Sequence, residues 1–256
     1  LGASYDTLAK SVERLASGLR INSAKDDAAG LAVRELMRAE IAVIRQGARN
    51  AADGISLLQT MEGAIGSIDS LLIRMKELAE QASTGSYSST QRNIMNSEFQ
   101  QNAAELDRIA ETTTFNSINM LNSASGTNTI HFGVGSSIVV GSVNVTTSAL
   151  GLASSVLTGS NGVNAIAALG VVTTAIERKD SAQANLGYMM NRLESTTSVL
   201  NTQAENLAAS ESRISDVDVA TEMAKLTRNQ VLAQAGISML GQANAMPQMA
   251  LSLLRG

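Results

Sequence analysis

The sequence predicts a mainly α protein: long antiparallel helical rods packed as a coiled-coil-like bundle, a small β-hairpin region, and a helix at each terminus. Three observations predict it. Apolar residues step by threes and fours from Ile41 to Ala82 almost without error, the spacing of one helical stripe. The chain has one Pro, no Trp and only 3 Tyr and 3 Phe, so Leu, Ile, Val, Met and Ala must supply the buried surface, the palette of closely packed helices. Between about 115 and 160 the character changes to Ser, Thr, Asn and Gly with β-branched residues, the only β candidate in the chain.

In chain order, Tyr5, Leu8, Val12 and Leu15 fall on one helical stripe, and Gly18 offers a stop. The polar segment 19–27 reads as a linker, with Ser23 and Asp26 spaced as a capping box. The strongest periodic signal then runs through Ile41, Ile44, Ala48, Ala51, Ile55, Leu58, Met61, Ile65, Ile68, Leu72, Met75, Ala79 and Ala82. It predicts a helix over 28–82, roughly 80 Å long, which needs partners along its whole length. Ser88 with Gln91 forms a second capping-box spacing, opening a helix with Met95, Phe99, Ala103, Leu106 and Ile109 on its apolar side, which folds back on the first. Ile130, Phe132 and Val134 alternate before Gly135, and Val143 and Val145 alternate after Gly141, predicting a hairpin. Helical spacing returns at Ile166, Leu169 and Ile176 and becomes regular through Leu186, Met190, Leu193, Thr197, Leu200, Ala204 and Leu207. A polar linker at 212–218 precedes a last helix over 219–256 that is apolar on several faces, the mark of a helix buried inside an assembly. The layout is palindromic: terminal helix 1–18, linker 19–27, helical rods over 28–211 enclosing the β insert, linker 212–218, terminal helix 219–256. The two ends are expected to pair.

Composition narrows the function. With 44% hydrophobic residues the chain folds, and with no Cys it has neither a disulfide framework nor a thiolate site. A formal net charge of -4 leaves no basic footprint for nucleic acid, and no apolar run is long enough for membrane insertion. His131 is the only histidine and lies in the expected strand, so no histidine dyad, His-pair metal site or HExxH zinc motif can form. Asp26 with Asp27, and Asp216 with Asp218, stand before helices and read as caps rather than as catalytic carboxylate pairs. The 11 Met lie along apolar helix faces as adaptable core filler. The reading is a structural subunit that is not an enzyme and takes no cofactor.

Several long segments carry a family resemblance. ERLASGLRINSAKDDAAGLAV at 13–33 is very similar to the N-terminal signature of bacterial flagellins, with Ala16 where Ser is commoner. ADGISLLQT, RMKELAEQAS, TTTFNSINML, NRLESTTSVL, AENLAASESRISDVDVATEMAKL and VLAQAGISMLGQANAMPQMALSLLRG follow in the family's order and cover the chain except its central insert. The resemblance implies a filament protein whose paired terminal helices form an inner tube and whose rods and hairpin form the surrounding wall. It implies a helical homopolymer, export by the flagellar type III secretion route to the extracellular flagellum, a chaperone on the C-terminal segment, and contacts with cap and junction proteins. The family's Asn-rich start is absent, which is expected to weaken or abolish polymerisation, and the short middle leaves no room for large outer domains. A hook-filament junction protein is the alternative, disfavoured by the continuous match through RMKELAEQ and NRLESTT; a surface adhesin is a more distant one.

Arg74 and Leu78 form an i, i+4 pair on one face of the rod, with Glu98 on the following helix. Their plainest role is a face that contacts neighbouring subunits. The resemblance implies more, because an Arg and a Leu in this motif and a Glu on the next helix bind Toll-like receptor 5 in flagellins that activate it. Met75 and Glu80 depart from the commonest form of the motif.

Overall fold

The computed structural model describes residues 2–123, 126–133, 135–159 and 162–255, with side chains described through Pro247. The element order is α1 (Gly2–Ser17), α2 (Ala28–Ser83), α3 (Ser89–Thr112), β1 (Thr114–Phe115), β2 (Ile118–Asn119), β3 (Thr127–Gly133), β4 (Ser136–Gly141), α4 (Thr147–Leu150), α5 (Val163–Ser215) and α6 (Val219–Arg255). The fold is mainly α, as the periodicity predicts. It divides into two compact units, Val43–Thr202 and Leu1–Ala42 with Gln203–Gly256. The continuous helices α2 and α5 each contribute a stretch to both.

In Val43–Thr202 the stripe of α2 is the core. Ala51, Leu58, Ile65, Ile68, Leu72, Met75, Ala79 and Ala82 are fully buried, and α3 closes over them with Met95, Phe99, Ala103 and Leu106. Ala48, Ile55 and Ile109 lie at the edge, only half-buried. The α2 to α3 turn is held from both sides. Ser88 and Gln91 make the reciprocal capping box at the start of α3. Arg92, 5% exposed, donates from Nε to the Ala82 carbonyl at 2.9 Å and from Nη2 to the Thr84 carbonyl at 3.1 Å. A buried guanidinium here satisfies carbonyls at the C-terminal end of α2, where the helix dipole favours positive charge.

α5 presents Ala165, Ala168, Val172, Ala175, Ala182, Leu186, Leu193 and Leu200 to the core. Ile166, expected on that stripe, is instead 58% exposed, because the helix begins with its small residues turned inward. Small side chains let two helix backbones approach closely, so Ala outcompetes Ile for the buried face.

The β region is more elaborate than its alternation suggests. β1 and β2 pair through a tight turn at Asn116 and Ser117, both at positive φ. β3 and β4 form the hairpin, with Ile130 opposite Ile138 and both turned to the core, together with Phe132 and Val140. Val143 and Val145 are not part of it: their backbones donate to the carbonyls of Met120 and Leu121 at 2.8 and 3.0 Å, tying down the exit of the hairpin. Val134, expected in the alternation, lies outside the described residues. The hairpin lies directly on α2, where a Cβ at Gly47 would collide with the Phe132 carbonyl and one at Gly54 with the Ile130 side chain.

Leu1–Ala42 with Gln203–Gly256 holds the two terminal helices. α1 ends at Gly18, whose φ of +73° suits a residue without a Cβ. The cap of α2 is Asp27, whose Oδ1 accepts from the Gly30 amide at 2.9 Å. Ser23 does not start the helix, for its amide and hydroxyl both donate to Asp26 Oδ2 at 3.2 Å, closing a turn before it. α5 runs through Ser215, so the second interruption is confined to the three residues before α6. Asp218 caps α6, accepting from the amides of Ala220 and Thr221 at 3.0 and 3.2 Å.

Candidate functional site

The terminal helices pack against each other, α1 on α6, and the two interruptions that follow and precede them are joined backbone to backbone. Leu19 and Asp216 form an antiparallel bridge, the Arg20 amide donates to the Ser215 carbonyl at 2.6 Å, and the Val217 amide donates to the Gly18 carbonyl at 3.0 Å. The Arg20 guanidinium adds a bond to the Ile214 carbonyl at 2.7 Å. Peptide groups that leave one helix before the next begins would otherwise lack partners, and pairing the two interruptions supplies them.

Between the helices the buried contact is polar. Glu222, 4% exposed, accepts from the buried Ser11 hydroxyl at 2.6 Å and pairs with Lys225 at 3.3 Å. The Ser11 hydrogen bond, then Lys225 and Arg14, hold the Glu222 carboxyl below its ordinary range despite burial. At the turn before α2, Asp26 pairs with Lys10 of α1 at 3.0 Å and accepts from Asn22 and Ser23, so its carboxyl is lowered to about 2. The carboxylates expected as caps thus divide their work: Asp27 and Asp218 cap helices, Asp26 fastens α1 to its linker, and Asp216 accepts from the Ser212 hydroxyl at 2.6 Å.

Beyond this polar contact the terminal helices are largely uncovered. On α6 only Glu222 and Ala233 are buried among the side chains described, while Val231, Leu232, Ile237, Met239, Leu240 and Met246 are 48–69% exposed. They point in several directions round the helix. On α1 the predicted apolar stripe is no core either, with Tyr5 48% and Val12 52% exposed and Ser11 its one buried residue. A helix apolar on several sides and covered on one has surface left for partners.

The second candidate surface is on α2 and α3. Arg74 donates from Nε to Glu98 Oε1 at 2.8 Å and from Nη1 to Glu77 Oε2 at 3.1 Å. Both carboxylates raise the Arg74 pKa, Glu98 most, and all three side chains remain about half exposed. Arg74 and Glu98 are therefore brought together at the surface. Leu78 is not with them: it is 2% exposed and packed in the core beneath.

His131 is an exposed position of β3, paired with Ser137, and its carbonyl accepts from Asn50 at 2.9 Å. Among the described residues no three His, Asp or Glu side chains converge to hold a metal ion, and no helix is long and apolar enough to cross a membrane. Sequence reasoning missed three buried cations, Arg34, Arg92 and Lys179, of which Arg34 donates to the Ile21 carbonyl at 2.8 Å. The signal for Lys179 was present: it falls four residues after Ala175 and three before Ala182, a charge inside an apolar stripe.

The chain has relatives among known proteins. Residues 1–127 match the bacterial flagellin N-terminal helical region and residues 169–254 the bacterial flagellin C-terminal helical region. The chain is 42% identical to a flagellin of Halalkalibacterium halodurans, over 100% of this chain and 94% of the relative. The chain belongs to the bacterial flagellin family. It is also 40% identical to the flagellar filament 33 kDa core protein of Treponema phagedenis, over 100% of this chain and 95% of that protein. The crystal structure of Bacillus cereus flagellin superimposes with a TM-score of 0.53 at 28% identity, covering 64% of this chain and 94% of that one. A flagellin is a structural protein of the flagellar filament.

Proposed function

We propose that this flagellin polymerises into the bacterial flagellar filament for motility by burying α1 and α6 against the same helices of neighbouring copies. One observation carries the reading: α6 leaves Val231, Leu232, Ile237, Met239, Leu240 and Met246 uncovered on several faces. Covering a Leu or Ile side chain stabilises by about 1.5–3 kcal/mol, so a few such residues per subunit supply a large driving force for assembly. Export follows the flagellar type III secretion route to the outside of the cell, where cap and junction proteins meet the growing and basal ends. Before export the bare α6 requires cover, which assigns an export chaperone to it.

The test is to express Ile237→Asp and Leu240→Asp variants in flagellated cells lacking other flagellins. Secreted subunit without filaments is the expected result by electron microscopy. Filaments of normal length from both variants would overturn the inner position of α6.

The exposed Arg74 and Glu98 pair is the proposed Toll-like receptor 5 contact, with Leu78 supporting α2 from beneath rather than meeting the receptor. Arg74→Glu and Glu98→Lys, each in monomeric protein, are expected to reduce receptor reporter signalling about tenfold or more, the loss of one charge-assisted contact. Unchanged signalling from both would remove the receptor from the list of partners.

A further inference from the structure

We propose that Lys179 and Asp69 form a register lock that holds α5 in a single axial alignment against α2 within Val43–Thr202. Three close approaches fix that alignment. A Cβ at Gly54 would lie 3.3 Å from Leu193 Cδ1, Asp69 Oδ1 meets Lys179 Nζ at 2.6 Å, and a Cβ at Gly162 would meet the Ser83 carbonyl. Residue numbers rise on α2 as they fall on the opposite side, so the helices run antiparallel and stay in step from Gly54 to Ser83, roughly 44 Å.

The apolar part of this interface says little about register. Ala165, Ala168, Ala175 and Ala182 give α5 a shallow relief, and α2 answers with Ile65, Ile68 and Leu72, so a displaced partner would still meet apolar side chains. Lys179 is different in kind. It stands inside the stripe, 4% exposed, and its ammonium reaches Asp69 across the interface and Asp180 beside it, each at 2.6 Å. Slipping α5 by one turn sets Lys179 beside Ile65 in one direction and Ile73 in the other, and neither side chain offers an acceptor. The ammonium would lose its partner on α2 while still largely dehydrated. Asp180 travels with Lys179 in either slip, so the selection rests on Asp69: a buried ammonium that meets an acceptor on the facing helix in one alignment only favours that alignment, even where an apolar residue would serve stability as well.

The chain has no cysteine, so spin labels can be placed uniquely. Nitroxides on cysteines at Ser56 of α2 and Thr174 of α5, both exposed, report the axial offset by pulsed electron double resonance. The unaltered protein is expected to give one narrow distance. Lys179→Met and Asp69→Leu are each expected to add a second population displaced by about 5 Å, one helical turn, with Lys179→Met keeping its thermal stability. A single unshifted distance in both variants would overturn the lock and leave an ordinary buried ion pair. Asp69→Leu keeps the branched shape but removes the acceptor at a position one-third exposed, so it decides alone if Lys179→Met fails to fold by circular dichroism.

Discussion

α2 and α6 are both long helices rich in Leu, Ile, Met and Ala, yet they meet opposite fates. Within Val43–Thr202, α2 arranges its apolar residues in one stripe, and α3, α5 and the hairpin cover it. α6 spreads its apolar residues round several faces, and α1 covers one of them through a polar contact, Ser11 to Glu222. The difference lies in patterning rather than in hydrophobicity. A stripe can be satisfied inside one chain, whereas apolar residues on all sides of a helix need neighbours on all sides.

The largest effect should come from cutting into the covered helix pair. Phe99→Ala removes a fully buried ring between α2 and α3 and is expected to cost about 3–5 kcal/mol in urea unfolding of the monomer. Leu240→Ala, 48% exposed, should change the same measurement by no more than about 0.5 kcal/mol while lowering filament yield in sedimentation assays. A large monomer effect at Leu240 would erase the contrast between the helices. Next is Arg92→Met, which deprives the Ala82 and Thr84 carbonyls of their buried partner and is expected to cost about 2 kcal/mol. Ser88→Ala breaks one arm of the capping box and should cost about 1 kcal/mol by the same assay.

The smallest effect is a pH dependence at the α1 end. Asp26 is lowered from 3.8 to about 2, first by Lys10, so its contribution is complete above 3.8 and is lost as pH falls through about 2. Lys10→Met should return the Asp26 carboxyl toward its ordinary range and move that loss to higher pH. A carboxyl-carbon NMR titration reads it directly, and an unmoved Asp26 would show that the turn amides, not Lys10, hold it down.

The sequence by itself determined the helices and the partnership of the ends. Three- and four-residue spacing placed α2 and α3 nearly to the residue, because helical periodicity is a property of local geometry, and Ser88 with Gln91 announced a cap that forms as spaced. The motifs from residue 13 to the C-terminus carried the family. What only the tertiary structure decided is which side chain of a plausible set reaches the surface or the core. Arg74 and Leu78 share a helix face by spacing, but α3 brings Glu98 to Arg74 while Leu78 turns inward. Ile166 lost the buried face of α5 to Ala165 and Ala168, and Val143 and Val145 bonded to Met120 and Leu121 rather than joining the hairpin. Each outcome depends on what a distant segment brings to the contact. Local periodicity sets where a side chain points on its own helix, and only the packed partner sets what it meets there.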